Sequence, residues 1–116
     1  MNNYIDYTVI QKYMQELLSI PSPTGNTSKA TKYITDILAE LKVNYHTTNK
    51  GAVIAILEGE DNTIERSFSA HIDTLGAMVK GINESGTLSI VPIGGYMMSS
   101  IDGENCIIET MEGDTY

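Results

Sequence analysis

The sequence is short of cysteine, of basic residues and of long apolar runs, and each shortage excludes something. Cys106 is the sole cysteine. An internal disulfide framework and a thiolate cluster around zinc are therefore excluded, and a reducing, cytoplasmic setting is the simplest expectation. Seven Lys and Arg stand against fifteen Asp and Glu, a formal net charge of −8. With no basic stripe to hold polyanions, neither nucleic acid nor an anionic membrane is expected as a partner. The longest apolar run is Ala52-Val53-Ile54-Ala55-Ile56-Leu57, far below the roughly 20 residues that span a bilayer. The start, Met1-Asn2-Asn3-Tyr4-Ile5-Asp6, has neither the positive nor the apolar region of a signal peptide. Gly-x-Gly-x-x-Gly, Gly-x-x-x-x-Gly-Lys and Gly-x-Ser-x-Gly patterns are missing as well, so dinucleotide, phosphate-loop and serine-hydrolase chemistry have no signature.

What remains is an ordinary globular composition: 116 residues, 41% hydrophobic and 19% charged. That is enough for one domain, or one domain with a piece of another. Val9, Ile10, Tyr13, Met14, Leu17 and Leu18 recur at helical spacing, with Thr8 and Gln11 placed as a capping box. Pro21 and Pro23 then end the helix, because proline lacks the amide donor and restricts its predecessor. A second apolar stripe, Ala30, Tyr33, Ile34, Ile37, Leu38 and Leu41, predicts a helix at about residues 27–41.

The period then changes. Val43, Tyr45 and Thr47 alternate with polar residues, Ala52–Leu57 reads as a strand buried on both faces, and Arg66–Ile72 as the next strand. Strands are further predicted over Gly76–Ile82, Thr87–Ile93 and Asn105–Thr110, separated by Asn83-Glu84-Ser85-Gly86, Gly94-Gly95 and Asp102-Gly103 turns. The expected fold class is α/β: two helices on a mixed sheet over residues 1–74, followed by the start of an all-β region over 75–116. Glu112-Gly113-Asp114-Thr115-Tyr116 reads as a turn entering a further strand. A fragment of a longer protein is the expectation, a naturally short tail the alternative.

Chemistry concentrates at one place. His46 lies on the polar side of its strand and reads as a solvated side chain. His71 is followed at i+2 by Asp73, and in an extended segment i and i+2 project to the same side. A metal-ligating imidazole has its second nitrogen held by a carboxylate or carbonyl, so His71 and Asp73 together have the makings of a ligand and its orienter. Alone the pair is a weak signal, since zinc needs three or four ligands and a single His is more often structural. Asp6, Glu16, Asp36 and Glu40 read as solvated helix-face carboxylates. Glu104, Glu109 and Glu112 have no metal-ligand spacing. Cys106, beside Ile107 and Ile108, and the Met97-Met98 pair read as packing residues.

Taken together, Leu18-Ser19-Ile20-Pro21-Ser22-Pro23-Thr24-Gly25, Asn49-Lys50-Gly51-Ala52, Ala70-His71-Ile72-Asp73-Thr74-Leu75-Gly76-Ala77-Met78-Val79 and Val91-Pro92-Ile93-Gly94-Gly95 resemble the N-terminal part of the tetrahedral (glutamyl) aminopeptidases, dinuclear metallopeptidases. The resemblance runs in order across nearly the whole chain, and the Ala-His-x-Asp-x-x-Gly-x-Met-Val run is its most specific part. It implies that His71 is a ligand of one of two divalent metal ions, zinc or cobalt, and that Asp73 is the catalytic aspartate orienting it. It implies short peptides as substrates, and a homo-oligomer assembled through a β-rich domain beginning near Gly76. Residues 1–74 would be the first part of a zinc-peptidase-like catalytic domain. The family's general base and remaining ligands have no counterpart within these residues, so the chain alone is expected to be inactive and to bind metal weakly. A related metallohydrolase, a deacylase or carboxypeptidase, and a non-catalytic oligomerisation or binding remnant are the alternatives.

Overall fold

A computed structural model describes residues 5–116. The first four residues of the stretch read above for a targeting signal lie outside it. Helix α1 spans Tyr7–Leu18. Its cap is Asp6, whose Oδ1 accepts from the Thr8 amide at 2.9 Å and the Val9 amide at 3.4 Å. The expected Thr8–Gln11 capping box is therefore displaced by two residues. Asp6 is still extended (φ −82°, ψ 97°) and can aim its carboxylate at the orphan amides, whereas Thr8 is already helical. The Thr8 hydroxyl, then its amide and that of Val9, hold the Asp6 carboxyl below its ordinary range. Ser19 ends the helix by returning both its amide and its hydroxyl to the Gln15 carbonyl, ahead of Pro21.

Helix α2 spans Ser28–Glu40. It ends in a Schellman turn: the Val43 amide donates to the Leu38 carbonyl and the Lys42 amide to that of Ala39. Lys42 carries the required left-handed backbone at φ 55°, a conformation that is strained for any residue with a Cβ. Lys42→Gly is expected to relieve about 1 kcal/mol of that strain. It should slow hydrogen exchange of the Lys42 and Val43 amides roughly fivefold, and unchanged exchange would show that the turn is not strained.

Strands β1 (Asn44–Thr47) and β2 (Val53–Ile56) form one antiparallel ladder, with Tyr45 opposite Ala55. Strands β3 (Gly76–Ile82) and β4 (Leu88–Ile93) form a second, with a bulge between Val79 and Gly81. A single 3-10 turn follows at Met98–Ile101. Among the described residues two helices and an α/β composition are present, but not one mixed sheet: the two ladders are separate, and parallel pairing there is confined to an isolated bridge from Pro23 to Thr74. Arg66–Ile72 has no regular secondary structure, because among the described residues no strand lies beside it to pair with. Asn105–Thr110 is likewise no strand. The turn after it does form: Ile108 and Tyr116 exchange both backbone bonds, Thr110 accepts from Gly113, and Gly113 sits at φ 91°.

Helix α2 packs on β1 and β2, and the Tyr33 hydroxyl donates to Glu16 Oε2 at 2.6 Å, tying α2 to α1. Partial desolvation and the Glu16 carboxylate push the Tyr33 phenol up to about 12. Beyond that the core is small. Ala30 and Ser22 are the buried residues among those described. Ile54 and Ile56 of β2 are exposed, contrary to the doubly buried strand expected, as are Val9, Ile10, Met14 and Leu18 of the α1 stripe. Met97, Met98 and Cys106 are exposed rather than packed. The accessible surface is 10,488 Å², against about 6,200 Å² for a compact monomer of 12.7 kDa. The radius of gyration is 18.6 Å, where about 13 Å is the compact value. The apolar periodicity of the sequence is present, but the layers that would cover it are not among the described residues.

Candidate active site

The loop between the helices is docked onto the chain that leads into β3. The Thr74 amide donates to the Ser22 carbonyl at 2.7 Å, forming the parallel bridge between Pro23 and Thr74. Gly76 permits this approach, since a Cβ there would lie 2.7 Å from Pro23 Cβ, closer than packed carbons come. Pro23–Asn26 closes a tight turn, the Asn26 amide donating to the Pro23 carbonyl at 2.8 Å. Gly25 supplies the left-handed φ of 93° that this turn needs. The Thr24 side chain is thereby held against Asp73.

Asp73 is the hub. Its Oδ2 accepts from Thr24 Oγ1 at 2.5 Å, and its Oδ1 lies 2.9 Å from His71 Nδ1. The Asp73 main-chain carbonyl is 3.1 Å from the same nitrogen. Both partners of Nδ1 are acceptors, so Nδ1 carries a proton, and in the neutral imidazole Nε2 then holds the lone pair. The bond from Thr24, followed by that from His71, holds the Asp73 carboxyl below its ordinary range. Each carboxylate oxygen thus has one partner within the chain, Thr24 on Oδ2 and His71 on Oδ1. His71 can ligate an ion, because its side chain is 85% exposed and Nε2 has no partner among the described residues.

The structure therefore brings His71 and Asp73 together, although not at the end of a buried strand: the contact is made within a segment that has no regular secondary structure. No group of three or more His, Cys, Asp and Glu able to hold a metal occurs among the described residues. The chain fits a metal centre as the source of one oriented imidazole, not as the whole centre. Sequence spacing gave no role to Thr24, which lies 49 residues from its partner and appears in the sequence only within the Pro-Ser-Pro-Thr-Gly stretch.

Glu109, which had no metal-ligand spacing, instead accepts from Lys29 Nζ at 2.5 Å and from Asn26 Nδ2 at 3.3 Å. Its carboxyl is held low chiefly by Lys29, and it ties the C-terminal segment to the start of α2. Asp36 and Glu16 make i,i+4 pairs with Lys32 and Lys12 on exposed helix faces, pairs that contribute little in water. A shallow depression of about 500 Å³ lies between the start of α2 and the β1–β2 turn, lined by Thr27, Thr31, Thr47 and Thr48 among others, away from His71. No helix among the described residues is long and apolar enough to cross a membrane.

Comparison with known proteins bears on this arrangement. The sequence pattern of the M42 glutamyl aminopeptidase family matches residues 51–116, the segment that holds His71 and Asp73. A Bacillus subtilis (strain 168) protein named as an aminopeptidase, YhfE, is 49% identical over 112 residues, which are 94% of this chain and 32% of YhfE. A protein named lysyl aminopeptidase from Pyrococcus furiosus is 27% identical over 104 residues, 89% of this chain and 30% of its own length. A Pyrococcus abyssi protein named as a LysW-lysine/LysW-ornithine hydrolase is 38% identical over 64 residues, 55% of this chain and 18% of its own. The chain thus spans about a third or less of the curated relatives it matches. With the family pattern covering more than half of its residues, including the His-x-Asp segment, the chain belongs to the M42 glutamyl aminopeptidase family.

Proposed function

We propose that this chain supplies the His71–Asp73 corner of a metal-dependent aminopeptidase that releases N-terminal residues from short peptides. The observation that carries this reading is the Asp73 carboxylate, 2.9 Å from His71 Nδ1 and so keeping Nε2 free to donate, within the segment matched by the family. His71 would hold one of two divalent ions, zinc or cobalt, with the other donors and the general base supplied outside this chain. The chemistry such ions supply when bound is acidification of a water and polarisation of the scissile carbonyl. Asp73 fixes the imidazole tautomer and orientation, and Thr24 faces its outer oxygen. Residues 75–116 would begin a β-rich domain through which subunits of a homo-oligomer pair. The setting would be cytoplasmic.

A second reading, a related metallohydrolase, is favoured by the similarity to a protein named as a LysW-lysine/LysW-ornithine hydrolase. One assay separates the two. A full-length protein carrying this chain should hydrolyse aminoacyl chromogenic substrates, lysyl and glutamyl among them, and lose this on chelation with recovery on added zinc or cobalt. Hydrolysis of N-acylated analogues in preference to those with a free amine would overturn the aminopeptidase reading in favour of the second.

A further inference from the structure

We infer that Thr24 is a positioning residue of the site, acting on His71 through Asp73. This rests on the reading of His71 as a metal ligand. A carboxylate beside an imidazole can turn about its own terminal torsion, which is broad and roughly two-fold. Nothing in His71 prevents Asp73 from doing so, because the imidazole holds only one of the two oxygens. Thr24 holds the other at 2.5 Å. With both oxygens anchored, the carboxylate plane is fixed and Nδ1 meets Oδ1 in a single orientation.

The anchor is itself rigid. Thr24 lies in a turn closed by the Asn26–Pro23 bond, and the flanking residues are pinned by the Thr74 amide on the Ser22 carbonyl. Pro23 packs against Gly76 where no side chain intervenes. A hydroxyl on such a loop differs from one on a free side chain: its ordering entropy has already been met by the fold, so its bond transmits position. The Thr24 methyl takes no part in this bond. The hydroxyl alone carries it.

The test is zinc affinity of the metal-free full-length protein carrying this chain, measured by competition with a chelating dye and without substrate. Thr24→Val, which keeps shape and removes the hydroxyl, should weaken binding about tenfold, at the low end of what partners of metal-ligating groups contribute. Thr24→Ser should stay within about twofold of the unmutated protein. In an Asp73→Ala background Thr24→Val should have no further effect, because the group it acts through is gone. In the otherwise unmutated protein Thr24→Val should lower kcat while KM for the peptide holds, because Thr24 acts on His71 through Asp73. Thr24→Ala, checked for native circular dichroism, serves if the valine variant fails to fold. Equal affinity for Thr24→Val and Thr24→Ser, or an undiminished effect in the Asp73→Ala background, would overturn the inference while leaving the ligand reading intact. Unchanged affinity on His71→Ala would instead overturn the ligand reading on which it rests.

Discussion

His71→Ala in a full-length protein carrying this chain is expected to remove one divalent ion per subunit and to lower N-terminal residue release by about 100-fold or more. The reason lies in what the substitution takes away. Nε2 carries the lone pair of an imidazole whose other nitrogen is committed to Asp73, and within this chain the ring is 85% exposed, so the substitution removes a donor without opening a cavity among the described residues. Asp73→Ala should be milder, about 10- to 100-fold, because Nε2 survives and the main-chain carbonyl of residue 73 still faces Nδ1, while the carboxylate that orients the ring is lost. Metal content per subunit by atomic emission, read beside turnover of aminoacyl substrates, checks both. A His71→Ala protein that retains two ions and full turnover would remove His71 from the site.

The isolated 116-residue chain is expected to show no cooperative heat-absorption peak, to bind the dye ANS, and to release no N-terminal residues. An unfolded chain of this mass exposes about 18,000 Å², so an accessible surface of 10,488 Å² means that folding removes about 8,000 Å². A compact domain would remove about 12,000 Å². The conformational entropy to be overcome is the same in both cases, and the margin of ordinary domains is only about 5–15 kcal/mol. Losing a third of the burial exceeds that margin. Activity fails independently, since removing a general base alone costs about 10²–10⁴-fold. A single sharp endotherm with equal calorimetric and van't Hoff enthalpies would show that the exposed stripes are stable as they are.

Local features were legible wherever a short-range rule decides them. The two helices follow from the 3.6-residue recurrence and from prolines that cannot continue it. The β3–β4 hairpin follows from alternating residues around Asn83–Gly86, where Gly86 adopts φ 81°. The error at the start of α1 is also local: Asp6 and Thr8 are both good caps, and only backbone conformation decides between them. Legibility stops where a partner is needed. Arg66–Ile72 has strand composition but no ladder, and Ala52–Leu57 forms β2 without being buried on both faces, because pairing and burial depend on neighbouring layers, which period alone cannot supply. At the candidate site the His71–Asp73 contact is written at i and i+2. Its support by Thr24 crosses 49 residues, and the Lys29–Glu109 contact crosses 80. No spacing rule reaches that far.

The docking of Ser22 and Pro23 on Thr74 and Gly76 has a consequence for modularity. The His-x-Asp segment cannot be transplanted as a linear cassette, because what orients its carboxylate arrives from another part of the chain. The smallest graft that keeps the geometry is discontinuous, joining residues 22–26 to residues 71–76. A recipient scaffold would have to offer two loops already in contact, with a glycine where they cross.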